Sequence, residues 1–143
     1  MIIIRFMRLT RQRAAILRLI NRSEGHWDAE GIATALQRRG ERIGIATIYR
    51  GLQALERAGL VTALQIDGRK HYERADKRHH DHLICLHCGA IGEFCSAEIE
   101  ALQQEIAAAH RFIISHHALT LYGRCRRCGA HDAGRQPPPR LQP

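Results

Sequence analysis

The chain has 143 residues, enough for one domain or two small ones with a modest core. No apolar run approaches the ~20 residues needed to cross a bilayer, and the opening MIIIRFM is too short for a signal peptide and has no small-residue cleavage site behind it. The formal net charge of +8 is carried entirely by residues 1–78, with 16 Lys+Arg against 8 Asp+Glu, whereas residues 79–143 hold 6 of each.

These bounds point to a cytoplasmic protein, with Met7 as an alternative start. There thiols stay reduced, and cysteine pairs more often bind metal than form disulfides. Nine of the ten histidines and all five cysteines lie from His71 onward. The asymmetry suggests a polyanion-binding half followed by a metal-binding half.

In chain order, Thr10 is placed to cap a helix running to about Arg22, with Ile16, Leu19 and Ile20 on one face and Arg11, Arg18 and Arg22 on another. Asp28 can cap a second helix carrying Ile32, Ala33 and Leu36, and Gly40 stands where it would end. In GIATIYRGLQALERAG (44–59), Ile45, Ile48, Leu52 and Leu55 make an apolar stripe at helical spacing, and Gly59 ends it. At about 100° per residue, Arg50, Gln53 and Arg57 point away from that stripe, with Tyr49 at its edge. Three long polar side chains on the open face of a short helix suit a reader of the major groove, but also an ordinary solvated face. The next segments tip the balance. LVTALQI (60–66) and RKHYE (69–73) read as strands joined across Asp67-Gly68, a strong signal for a tight hairpin. Three helices and a basic hairpin make a winged helix, and Arg69 and Lys70 at the hairpin tip suit a phosphate backbone.

The second half reads β-β-α-β. HLIC (82–85) and AIGEF (90–94) look like short strands, and Ser96 can cap a helix to about His110 with Ile99, Leu102 and Ile106 inward. FIISHHALTLYG (112–123) is a long strand candidate, and the Pro-rich residues 134–143 are expected to be disordered.

CLHC (85–88) and CRRC (125–128) are two C-x2-C units separated by 36 residues. Four thiolates make a closed tetrahedral shell for Zn²⁺ with no position left for a substrate, so such a site is structural. It typically supplies ~10–16 kcal/mol, enough to decide whether so small a domain folds. Cys95 is the odd one out, a core or surface thiol. In the extended segment HHDH, alternate residues share a face, so His80 and His82 point one way and His79 and Asp81 the other. One short segment could thus serve two metal sites, completed from among His26, Glu73, Glu93, Glu100, His116 and His117. Mixed imidazole and carboxylate shells suit Fe²⁺, Mn²⁺ or Zn²⁺.

With these motifs the chain resembles the ferric uptake regulator family of metal-responsive repressors. The likeness runs from LTRQRAAIL through IGIATIYRGLQALERAGLV and HHDHLICLHCGAIGEF to LYGRCRRC. It implies an α+β fold: a winged-helix DNA-binding domain (1–78) joined to an α/β dimerisation domain (79–133) with a four-cysteine structural zinc. By position it implies structural Zn²⁺ on Cys85, Cys88, Cys125 and Cys128, and a regulatory metal on His26, Glu73, His80, His82 and Glu93. A further site would use His79, Asp81, Glu100 and His117. The implied DNA-contacting set is Arg8, Thr47, Tyr49, Arg50, Gln53, Arg57, Arg69 and Lys70, with Tyr49 against bases and Arg8 reaching the minor groove. The implied partners are double-stranded DNA with AT-rich near-palindromic operators and a second copy of the chain, as a dimer or a pair of dimers.

Which metal is sensed follows from finer likenesses. Zinc-uptake members tend to carry a cysteine near Glu73–Arg74 and a histidine in place of Asp81, and peroxide-sensing members carry aspartates at Glu73 and Glu93. Neither pattern stands here, so the reading favours Fe²⁺, with Mn²⁺ or Zn²⁺ as substitutes at the site and a zinc-uptake or peroxide-sensing regulator of the same family as the alternative. The chain departs from the family in its short leader, in His71 and His87, and in Arg111 where glycine is common. Two other classes compete with this reading. A metal-dependent hydrolase needs an open coordination position, and H-E-x-x-H is absent; a His-x-Glu occurs at His71–Glu73, but the Pro that a deaminase places before its first cysteine does not, since Ile84 precedes Cys85. A metal-buffering protein would not require Tyr49, Arg50 and the hairpin.

Overall fold

The computed structural model describes residues 9–66 and 68–129, so the expectations for Arg8, Asp67 and the tail 134–143 lie outside the described residues. The chain gathers into two compact units, one ending at Arg78 and the other beginning at His79.

In the first unit, α1 spans Arg11–Asn21 with the Thr10 hydroxyl accepting from the Arg13 amide, and α2 spans Ala29–Arg38 with Asp28 accepting from Gly31. Helix α3 spans Ile45–Arg57. Strands β1 (Val61–Ile66) and β2 (Arg69–Arg74) pair antiparallel, and Gly68 takes the positive φ of 76° that their tight turn requires. Reciprocal backbone bonds between Trp27 and Tyr72 tie the hairpin to the turn before α2. This is a winged helix. Its core joins Ile16, Leu19 and Ile20 of α1, Ile32 and Leu36 of α2, Ile48, Leu52 and Leu55 of α3, and Val61 and Tyr72 of the hairpin. Each such aliphatic contributes about 1.5–3 kcal/mol on leaving water. Ile45, expected on the stripe, is exposed instead, because it is the first residue of α3 and projects beyond the bundle.

Gly51 sits mid-helix where α3 crosses α1. A Cβ there would stand 2.9 Å from Ile16 Cδ1, so the missing side chain is what lets the two helices approach.

The second unit is a three-stranded sheet of order β4-β3-β5, built from β3 (Asp81–Cys85), β4 (Ile91–Phe94) and β5 (Thr120–Gly123). Strand β3 pairs antiparallel with β4 and parallel with β5, and α4 (Ala97–Ala109) lies on the crossover between those two edges. A one-turn helix, α5 (Arg126–Gly129), follows. Two expectations are corrected here. The strand at 112–123 is only four residues long, because the ladder with β3 begins at Thr120 and residues 112–118 lie in no strand. Leu102 and Ile106 are not inward but 56% and 54% exposed, and only Ala107 of α4 is buried, because helical period marks an apolar face without supplying a partner to cover it.

Helices α2, α3 and α4 end in the same hydrogen-bond pattern, with left-handed residues Gly40, Gly59 and Arg111 after their last turns. At Arg111, φ is 53°, a conformation that disfavours any residue with a Cβ.

Candidate functional site: metal clusters and the open face of the third helix

The four expected zinc ligands come together where β3 and β5 end side by side. Cys85 is the last residue of β3, Cys88 follows in the turn that closes at Gly89, and Cys125 and Cys128 flank the start of α5. Their sulfurs all lie within 4.8 Å of one another, with Cys88 Sγ 3.7 Å from Cys125 Sγ. Tetrahedral Zn²⁺ with Zn–S bonds near 2.3 Å sets a sulfur–sulfur edge of about 3.8 Å, so the residues fit the ion. The thiol chemistry agrees. The Cys125 amide donates to Cys85 Sγ at 3.3 Å and, with that of Cys88, holds the Cys85 thiol down at about 5. Cys128, hydrogen-bonded to Cys88 and partly desolvated, is pushed up to about 12. Thiols this close ionise together only around a dication. Cys95 is exposed and stands outside the cluster.

Strand β3 splits its ligands between two faces, as the period of a strand demands. On one face His79, Asp81, Glu100 and His117 converge, again within 4.8 Å. Glu100 Oε1 stands 3.2 Å from Nε2 of both histidines, and Asp81 Oδ1 stands 3.7 Å from both. The two imidazoles are edge-to-face at 4.3 Å. Asp81 is fully buried; Oδ1 accepts from the Leu119 amide, while buried Oδ2 has no hydrogen-bond partner among the described residues. A buried carboxylate with one oxygen near two imidazoles and the other unsatisfied fits a divalent cation. His116, one of the alternatives, is exposed and contacts the Ser115 hydroxyl.

On the other face of β3, the rings of His80 and His82 lie 4.8 Å apart, and His80 Nε2 is 3.8 Å from Glu93 Oε1 on β4. His82 stands directly opposite Glu93 in the β3–β4 register. In the first unit, His26 Nε2 meets Glu73 Oε2 at 3.2 Å, and both side chains are only 5% exposed. Lys77 also reaches Glu73 Oε2, at 2.9 Å, and the Glu24 carbonyl at 2.8 Å. Sequence reasoning missed Lys77, although its position four residues past Glu73 was the signal available.

The open face of α3 carries Arg50, Gln53 and Arg57, all exposed, with Thr47 half-buried. Arg50 Nη2 donates to Thr47 Oγ1 at 3.2 Å. The Tyr49 hydroxyl donates to Glu30 Oε1 at 3.0 Å, a bond that raises its pKa and holds the ring at the edge of the face. At the hairpin, Arg69 is exposed, whereas Lys70 is engaged by both oxygens of Glu56, which raises its pKa. Glu30 and Glu56 were not singled out from the sequence, because their partners lie 19 and 14 residues away.

The ferric uptake regulator family matches this chain over residues 5–122. The ferric uptake regulation protein of Escherichia coli K12 is 42% identical over 121 residues, covering 83% of this chain and 82% of its own. A structure of the ferric uptake regulator from Francisella tularensis with iron aligns with a TM-score of 0.81 at 33% identity, covering 87% of this chain and 96% of that one. A zinc-bound manganese uptake regulator aligns with a TM-score of 0.67 at 41% identity, covering 83% and 91%.

Proposed function

The chain belongs to the ferric uptake regulator family, whose members are DNA-binding, metal-responsive transcriptional regulators rather than enzymes, and from that premise we propose that it is a cytoplasmic repressor that senses Fe²⁺ and controls iron-uptake genes. Residues 1–78 bind DNA, 79–133 dimerise and hold the metals, and one regulatory ion is ligated jointly by His26, Glu73, His80, His82 and Glu93. The observation that carries this reading is that each unit presents its own part of the ligand set already ordered: the buried His26–Glu73 pair in one, and His80, His82 and Glu93 in the other. When bound, the ion supplies a multivalent cross-link between imidazoles and carboxylates. Ligands from both units then restrict the hinge at Arg78–His79, and the population shifts toward the arrangement that fits DNA.

Regulators of this family act on DNA as dimers. A two-fold pair presents two copies of α3 about one helical turn apart, roughly 34 Å, so the operators are near-palindromes, and the family resemblance implies that they are AT-rich. The exposed apolar side of α4, with Phe112 and Ile113, supports pairing through the second unit. Pairing of dimers into tetramers is the alternative assembly. The glutamates at 73 and 93 support iron, while the sulfur-free mixed shell supports Mn²⁺ or Zn²⁺ as second reading.

The test is an anaerobic titration of operator binding with Fe²⁺, Mn²⁺ and Zn²⁺ at fixed salt. Fe²⁺ is expected to tighten binding at least tenfold, and Glu73→Ala or His80→Ala to abolish that gain. Equal affinity with chelator and with Fe²⁺ would remove the iron reading.

A further inference from the structure

We propose that a phosphate of the DNA backbone is held in a cleft between the start of α1 and the first turns of α3, clamped by Arg13 and Arg50. The inference rests on the DNA-binding reading above and deepens it, because Gln12 and Arg13 belong to the first helix rather than to the reading helix.

The cleft has a volume of about 270 Å³ and is bordered by Thr10, Gln12, Arg13, Thr47 and Arg50, with Gly51 as part of its floor. Two guanidinium groups face it, and no carboxylate is among its lining residues. Arg74 is paired with Glu24 and Asp76, Lys70 with Glu56, and Lys77 with Glu73. Arg50, by contrast, contacts the neutral Thr47 hydroxyl, and Arg13 forms no ion pair among the described residues. Both arginines of the cleft thus face it without a carboxylate among its lining residues.

The space exists because of Gly51. A Cβ there would lie 3.8 Å from Arg13 Cγ and 2.9 Å from Ile16 Cδ1, so a side chain would fill the floor and push the two helices apart. The first-turn residues of α1 and the Thr47 turn of α3 border the same opening, which adds the positive ends of two helix dipoles to two arginine forks. A planar guanidinium offers paired donors to phosphate oxygens. Contacts from an element outside the reading helix to a backbone phosphate fix the protein's register on the duplex without reading sequence.

The experiment uses the full-length, metal-loaded protein and measures its affinity for an operator duplex and for an unrelated duplex between 50 and 200 mM salt. Arg13→Gln is expected to weaken both by a similar factor, roughly 3- to 10-fold, and to lower the slope of log K against log salt by about 0.9, one phosphate's worth. Arg13→Lys should keep the slope, and Gln12→Glu, which places a carboxylate at the rim, should act in the same direction as Arg13→Gln. Zinc content and the thermal midpoint of each variant report on folding, and the lysine and glutamate variants leave the cleft testable where glutamine perturbs α1. An unchanged slope for Arg13→Gln overturns the proposal, as does a loss confined to the operator, which would mark a base contact. A further arm replaces chloride by inorganic phosphate at matched ionic strength. Arg13-dependent stabilisation by phosphate with unchanged duplex affinity would give the cleft to a free anion and overturn the DNA assignment. If the wild-type protein bound no operator with any metal, the proposed function itself would fall, a result distinct from all of these.

Discussion

The two units of this chain are built on different economies of burial. The first buries aliphatic side chains from all three helices and both strands of its hairpin, in one continuous core. The second buries few apolar residues, chiefly Ile84, Cys85 and Ala107, and its other buried side chains are the ligands Asp81 and His82. Among the described residues, eight large apolar side chains of the second unit remain exposed, including Leu102, Ile106, Phe112 and Ile113, the last 90% exposed. A fold of this size with so little apolar burial needs another source of stability. The four-cysteine cluster offers one source in metal ligation, and the exposed apolar strip suits the proposed pairing with a second copy of the chain.

Removing the metal is the strongest way to break this comparison. Stripping zinc with a tight chelator forfeits ~10–16 kcal/mol at the four-cysteine cluster. The second unit is expected to unfold and the dimer to dissociate, while the helices of the first unit persist. Circular dichroism and amide exchange, with sedimentation for the dimer, check this; protected amides across Asp81–Gly123 after zinc removal would break the comparison. The converse change is Leu52→Ala, which opens a cavity in the first core and should cost about 2–5 kcal/mol. Denaturant unfolding of the zinc-loaded protein should show that loss with zinc stoichiometry unchanged, and a cost under about 1 kcal/mol would mean that the first core is not the self-sufficient one. The smallest effect is expected at Arg111. Glycine relieves its left-handed backbone, offset in part by greater freedom in the unfolded chain, for a net gain of up to about 1 kcal/mol. A rise of a few degrees in the second unit's melting midpoint would sharpen the comparison, whereas no rise would show that the helix end bears no strain.

Much of the architecture was legible in the sequence because it is written in local code. Thr10, Asp28 and Ser96 cap the helices they precede, Gly40 and Gly59 end theirs, and alternation along HHDH separates two ligand sets. The two C-x2-C units announced a shared site without revealing that parallel pairing of β3 with β5 is what joins them.

What could not be read depends on packing at long range. The inward face assigned to α4 rested on period alone, and period cannot say whether a helix meets its own sheet or a second copy. The strand at 112–123 failed for a related reason: propensity supplies an extended chain, but a ladder needs a neighbour, and only Thr120–Gly123 finds one. The acids that hold Tyr49 and Lys70, and the Gly51 crossing that opens a basic cleft, likewise arise from residues far apart in the chain. By itself the sequence determined the helices, the hairpin and the chemical identity of the ligands, because capping, periodicity and donor type act over a few residues. Only the tertiary structure decided which ligands share a centre, which apolar faces stay open and which charges go uncompensated, because those depend on what the fold brings within a few ångströms.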